Sequence, residues 1–154
     1  MKLAEALILR ADAQKRIENL RQRLIKNAKI QEGETPVEDP QALLLEHDEL
    51  TLQLRELIQR INRTNSSTML EGEPQMTVAD AIALRDSLRL AFGTYSALCE
   101  AATVEQSRYS RSEIKFLPAL DVRAIRAQSD AYAVQHRELD ARIQATNWLV
   151  DLID

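Results

Sequence analysis

DVRAIRAQSDAYAVQHRELDARIQATNWLVDLID, residues 121–154, carries the most regular hydrophobic pattern of the chain. Its seam positions are mostly apolar and follow each other at alternating steps of three and four residues. This spacing is typical of a long amphipathic helix whose apolar stripe packs against other helices. Asp121 is a suitable N-cap residue, so the stretch predicts a helix over residues 121–153. The seam positions are Val122, Ile125, Ser129, Tyr132, His136, Leu139, Ile143, Thr146, Val150 and Ile153.

The same pattern predicts three further helices, which glycine, proline and polar segments separate. Asp39 followed by Pro40 marks the start of one of them, and Thr77 with Asp80 marks the start of another. Because the connections are short, neighbouring helices should run antiparallel. We therefore expect an all-α fold, a four-helix bundle or an antiparallel coiled coil, in a single domain over residues 1–154. The predicted helices cover residues 2–29, 40–62, 78–104 and 121–153.

Short extended segments are predicted between the helices. The turn sequence Glu71-Gly72-Glu73-Pro74 is flanked by residues 68–70 and 75–77, which suits the two arms of a small β-hairpin. Residues 114–117 have lost the helical period and can supply a third strand to the same element.

Charge and cysteine content limit the classes of function. The net charge of −4 gives no general attraction to phosphate backbones, so nucleic acid is not an expected partner. Cys99 is the only cysteine, which excludes an intrachain disulfide framework, and the charged N-terminal residues do not suit a signal peptide. We expect a cytoplasmic protein. No apolar run is long enough for a transmembrane segment.

The two histidines, His47 and His136, lie on predicted seams, inside the bundle or at a subunit contact. Di-iron bundles carry Glu-x-x-His, but Leu44 and Ala133 stand where this motif needs glutamate. We therefore interpret both histidines as structural residues that help to set helix register, and we expect no metal and no cofactor.

Arg10 and Arg85 also lie on seams, where an unpaired guanidinium would be costly to bury. Ion pairs that fix the register of the helices are favoured over an anion-binding pocket. The candidate partners are Glu5, Glu46, Asp86 and Asp140.

Two polar segments, residues 62–65 and 108–115, follow helices that should run antiparallel, so they can meet at one end of the molecule. They offer guanidinium, amide and carboxylate groups that suit a small anionic ligand. The alternative is that they cap helices and hold the short strands. No catalytic residue is assigned, since no G-x-S-x-G pattern surrounds a serine and three glycines cannot form a glycine-rich phosphate loop. The candidate ligand-binding residues are Arg63, Asn65, Arg111, Glu113 and Lys115.

Five short segments resemble the small bacterial septicolysin-like family. They are MKLAEAL at 1–7, NAKIQEG at 27–33, INRTN at 61–65, SEIK at 112–115 and NWL at 147–149. The resemblance spans the chain and implies a short helical protein without an established biochemical activity. The family name implies a cytolysin. The resemblance also draws attention to residues of the two polar segments, namely Asn62, Arg63, Thr64, Asn65, Arg111, Glu113 and Lys115.

Three hypotheses of function follow, in order of preference. The first is a homo-oligomeric helical scaffold or interaction protein, in which spare seam surface on the first and last helices packs against a second copy. The second is a small anionic-ligand-binding protein or enzyme that uses the two polar segments. The third is a cytolysin. The seam residues assigned to the core or the oligomer contact are Ile17, Leu20, Leu24, Tyr132, His136, Leu139 and Ile143.

Overall fold

The computed structural model describes residues 1–103 and 114–154, and in that part of the chain four α-helices are present. They are α1 (Leu3–Lys26), α2 (Pro40–Ser67), α3 (Val78–Ala102) and α4 (Val122–Leu149). The described residues form no strand, and the all-α prediction is confirmed. None of these helices combines the length and hydropathy that crossing a bilayer requires.

The helices begin where the capping residues predict. Asp39, Thr77 and Asp121 each accept a hydrogen bond from a backbone N–H two or three residues further on, at 3.0, 3.1 and 3.1 Å. These bonds satisfy N–H groups that have no partner inside the first turn of a helix.

Helix α2 extends to Ser67, past its predicted end at residue 62, so the polar segment 62–65 is helical. The hydroxyls of Thr64, Ser66 and Ser67 donate to the carbonyl oxygens four residues earlier, at 2.9, 2.9 and 2.8 Å. Hydroxyls that bond to the helix in this way do not compete with it for backbone groups.

Helix α1 ends at Lys26, three residues earlier than predicted, because Asn27 caps it. The buried Asn27 amide donates to the carbonyl oxygen of Arg23 at 2.9 Å, and its Oδ1 accepts from the backbone N–H of Glu38 at 3.1 Å. Asn27 thus ends α1 and holds the loop that leads to α2. Helix α4 also ends early, at Leu149.

The predicted strands are absent from the described residues. Residues 70–76 form a turn closed by one hydrogen bond, from the backbone N–H of Leu70 to the carbonyl oxygen of Met76 at 2.8 Å. Arg142 holds the turn by donating to the carbonyl oxygens of Glu71 at 2.7 and 3.0 Å and of Glu73 at 3.1 Å. The predicted third strand is also absent, because residues 114–117 are irregular and exposed. Their side chains are mostly apolar, but the described residues contain no neighbouring strand with which they could pair.

The chain divides into two compact units. Unit 1 consists of Met1–Met69 and Gln144–Asp154, and contains the antiparallel hairpin of α1 and α2 with the end of α4. Its hydrophobic side chains form two clusters. One cluster contains Leu3, Ala6, Ile61 and Leu152, and the other contains Leu20, Leu43 and Leu50.

Unit 2 consists of Leu70–Ile143 and contains α3 with the larger part of α4. The Arg85 guanidinium donates to Asp140 at 3.1 Å and to Asp86 at 3.0 Å, which confirms the predicted seam ion pair. Burial opposes the charge of Arg85, but these two bonds raise its pKa. The core of the unit contains Leu70, Val78, Ala81, Leu88, Leu139 and Ile143.

Candidate functional site

Two of the five candidate ligand-binding residues lie in a helix and not in the predicted loop. Arg63 and Asn65 lie in the last turns of α2 and not in a loop. Lys115 is exposed in the irregular segment before α4. Arg111 and Glu113 lie outside the described residues. The joint site of the two polar segments therefore stays a prediction.

Arg63 binds the chain's own last residues, which we call the tail (residues 150–154). Its Nη1 donates to the main-chain oxygen of Asp154 at 2.7 Å. One turn earlier in α2, Arg60 donates through Nη2 to the Asp154 carboxylate at 2.6 Å and through Nε to the carbonyl oxygen of Ile153 at 3.2 Å. Two neighbouring guanidiniums of α2 thus hold an intramolecular carboxylate and two main-chain oxygens.

The inner side of the tail is held by buried groups. The hydroxyl of Thr64, which is fully buried, accepts from the backbone N–H of Ile153 at 3.0 Å. Leu152 is buried in the first cluster of unit 1, and its backbone N–H donates to the carbonyl oxygen of Met1 at 2.8 Å. Lys2 forms an antiparallel bridge with Asp151. Sequence reasoning missed the tail and Arg60, because the tail continues the apolar period of α4.

The seam residues lie in or beside the cores of the two units. Their second predicted role, at a subunit contact, stays a prediction. In unit 1, Leu20 is buried and Ile17 and Leu24 pack against it; in unit 2, Leu139 and Ile143 are buried and Tyr132 and His136 are half-buried.

The other histidine, His47, is half-buried on α2, and its Nδ1 lies 3.1 Å from the carboxylate of Asp48. Over residues 1–103 and 114–154, no three His, Cys, Asp or Glu side chains come together as metal ligands. The neighbour of His47 is a single exposed carboxylate of the next residue, which suits a local hydrogen bond.

The α1–α2 hairpin carries an open groove of about 320 Å³ along one side. We call it the hairpin groove. Its lining combines leucine and alanine with charged side chains of both signs. The lining residues are Leu9, Asp12, Ala13 and Arg16 of α1 and Leu50, Gln53, Leu54, Glu56, Leu57 and Arg60 of α2.

The charged side chains of the hairpin groove differ in their partners. Arg16 lies 3.6 Å from the carboxylate of Glu46, and Arg60 holds the tail. Within the described part of the chain, Asp12 and Glu56 form no ion pair. These two carboxylates are therefore available to cations from outside the hairpin.

Comparison with known proteins gives two matches. The model of a family of unknown function, DUF6847, matches residues 10–152. A crystal structure of a functionally unknown conserved protein from Corynebacterium diphtheriae is 46% identical, covers 99% of both chains and has a TM-score of 0.91. No curated protein matches. Nothing in these comparisons supports the septicolysin-like name.

Proposed function

This chain belongs to DUF6847, a family of unknown function, and from that premise we propose that it is a homo-oligomeric helical scaffold whose copies associate through the hairpin groove. The observation that carries the proposal is the apolar surface in and beside this groove. Leu9 and Leu52 are each 46% exposed on the two helices of the hairpin. A two-helix hairpin buries only the stripe between its helices, so such side chains need a further partner.

The apolar surface is wider than the groove itself. Leu45, Leu52 and Glu56 are seven and four residues apart, so they lie on one side of α2. Glu56 lines the groove, and Leu45 is exposed as well. The leucines therefore extend the apolar lining onto the flank of α2, where a helix of a second copy can cover them.

The charges favour a second copy over an unrelated partner. Asp12 and Glu56 lie on opposite walls of the groove without an ion-pair partner in the described residues, while Lys15 and Arg16 are exposed on the same helix as Asp12. In a two-fold contact the acidic side chains of each copy face the basic side chains of the other. Such pairing orients the two hairpins and excludes partners that lack the complementary charges.

One face of the α1–α2 hairpin is large enough for a specific dimer interface. The 24 residues of α1 form a helix about 36 Å long. Two packed helices are about 20 Å wide, which gives a face of about 700 Å² in each copy and about 1,400 Å² in a dimer. Specific interfaces bury about 1,200–2,000 Å² in total.

The test is the solution mass, measured by light scattering on a sizing column, for the wild-type chain and for two variants. We expect the wild type to be a dimer or larger. Leu9→Glu should shift it to the monomer, since a carboxylate would be buried in the contact without a partner. Ile25→Glu is the matched control, because Ile25 is 58% exposed on α1 and about 160° around the helix from Leu9.

A wild-type chain that stays monomeric at high concentration would overturn the proposal. Dissociation by Ile25→Glu but not by Leu9→Glu would overturn the assignment to the hairpin groove. Circular dichroism of both variants separates loss of assembly from loss of folding.

A further inference from the structure

Arg60 connects the tail with the hairpin groove. Its guanidinium donates to the Asp154 carboxylate at 2.6 Å and to the carbonyl oxygen of Ile153 at 3.2 Å. The same side chain lines the groove on its α2 side. The partner that Arg60 binds therefore affects the charge that the groove presents to a second copy.

Glu56 is the groove residue that is best placed to bind Arg60 when the tail does not. It lies four residues before Arg60 on α2 and lines the groove as well. A glutamate one turn before a basic residue is the favourable order for an ion pair along a helix. Over residues 1–103 and 114–154 this pair is absent, since Arg60 binds the tail. The docked tail thus leaves the Glu56 carboxylate without an ion-pair partner.

The opposite wall of the groove repeats this arrangement. Asp12 lies four residues before Arg16 on α1, and the Arg16 guanidinium lies 3.6 Å from the carboxylate of Glu46, which does not line the groove. Each wall therefore combines an acid that has no ion-pair partner among the described residues with an arginine that is bound to an acid outside the groove. The two acids favour basic side chains of a partner.

The pair of Arg60 and Asp154 can open at a small cost. The Asp154 side chain is fully exposed and that of Arg60 is 32% exposed. Water and salt screen the charges of such a pair, so it contributes little free energy. Leu152 is buried in the first cluster of unit 1, so it keeps the tail anchored when the pair opens. Arg60 can then reach Glu56 by rotation of its side chain.

We propose that Asp154 of the tail promotes assembly by binding Arg60 and so keeping Glu56 available to a basic side chain of the second copy. This inference rests on the proposed assembly through the hairpin groove and states how that assembly is regulated. While Arg60 binds the tail, both acids of the groove can bind the partner. Without the charge of Asp154, Arg60 binds Glu56 and the contact loses one of its ion pairs. The tail regulates the affinity without lining the groove.

The first measurement is the dissociation constant of the assembly, obtained by sedimentation equilibrium on the full chain. Asp154→Asn should raise it about two- to fivefold, since one exposed ion pair changes an equilibrium by about this factor. Asp151→Asn is the matched control, because Asp151 is an exposed aspartate of the tail that pairs with Lys2 at 3.1 Å and not with Arg60. This control should leave the dissociation constant unchanged.

A double variant tests whether Asp154 acts through Glu56. Glu56→Gln should weaken the assembly by itself, because it removes a carboxylate from the contact. Asp154→Asn in the same chain should add no further loss, since both changes act on the same ion pair. Losses that simply add would overturn the role of Glu56.

A second measurement follows the partner of Arg60 in the monomer. All chains carry Leu9→Gln, which weakens the contact without adding a charge to the groove, and are measured at a concentration at which light scattering gives the monomer mass. The Nε–H signal of Arg60 is recorded by nitrogen-15 NMR. Glu56→Gln should leave this signal in place when Asp154 is present. In the Asp154→Asn chain the same substitution should move it.

The two measurements separate this inference from the proposed assembly. A wild-type chain that is monomeric overturns the assembly and its regulation, whereas the Arg60 signal still decides whether Arg60 exchanges its partner. A signal that responds equally to Glu56→Gln with and without Asp154→Asn overturns the exchange. Equal dissociation constants for Asp154→Asn and Asp151→Asn overturn the regulation of assembly by the tail, even where the exchange is observed.

Discussion

Glu38 ties the loop after α1 back to that helix through Arg23. The Arg23 guanidinium donates to both carboxylate oxygens, in each case through Nε at 3.1 Å, and the backbone N–H of Glu38 is held by Asn27. The hydrogen bonds from Arg23 lower the pKa of Glu38 below its usual value of 4.5, against a weaker opposing effect of desolvation. The same contact raises the pKa of Arg23.

The lowered pKa of Glu38 makes part of the stability depend on pH. Because the folded pKa lies below the unfolded one, the contribution is complete above pH 4.5 and is lost as the pH falls through the folded pKa. We expect Glu38→Gln to be slightly less stable than the wild type at pH 7, since more than a third of each side chain of the pair is exposed and water screens the charges. The difference in urea unfolding should disappear in acid. Glu34→Gln, an exposed glutamate of the same loop, serves as the control and should match the wild type; a difference for Glu38→Gln that persists at pH 2 would contradict the account.

At the scale of elements, glycine suits the turn before α3 but lowers the stability of α3 itself. Gly72 has a φ of +90°, and a Cβ there would lie 3.4 Å from Nη2 of Arg142. Gly72→Ala should therefore lower the free energy of unfolding by about 1–2 kcal/mol. Gly93 lies inside α3 with open space around it, so Gly93→Ala should raise that free energy by about 0.5–1 kcal/mol. Urea unfolding measures both. A Gly72→Ala variant as stable as the wild type would show that the turn does not require glycine, and a destabilised Gly93→Ala would contradict the prediction for α3.

The helices and their first residues could be predicted from the sequence, whereas the end of α2 and the absence of the third strand could not. Heptad seams and the caps Asp39, Thr77 and Asp121 are local signals, and they located the helices and their starts correctly. The end of α2 was missed because hydroxyl side chains stabilise a turn or a helix, and only the burial of Thr64 decides between them. Residues 114–117 have strand-like composition, but composition does not supply a neighbouring strand.

At the scale of the whole molecule, Leu152 joins the tail to the first cluster of unit 1. Leu152→Ala should lower the free energy of unfolding by about 2–4 kcal/mol, since it leaves a cavity beside Leu3 and Ile61. The adjacent Ile153 is exposed, so Ile153→Ala should cost less than about 1 kcal/mol. Urea unfolding followed by circular dichroism measures both changes. Equal losses for the two variants would mean that the tail is not anchored by Leu152.

The tail also marks the limit of predicting a site from sequence spacing. Arg60 and Asp154 are 94 residues apart, so no local pattern connects them. The prediction that Arg63 binds an anionic ligand was made from the composition of its segment and from the family resemblance, and in the structure Arg63 donates to the main-chain oxygen of Asp154. Pairing over such distances is a property of the folded chain.

The division of unit 1 into two stretches of sequence affects the order in which the chain can fold during its synthesis. Unit 2 is continuous, so all of residues 70–143 leave the ribosome before the tail does. Unit 1 needs Leu152 to complete its first cluster and Asp154 to occupy Arg60 and Arg63. Residues 1–69 therefore keep part of their apolar surface exposed to solvent until the tail has been translated.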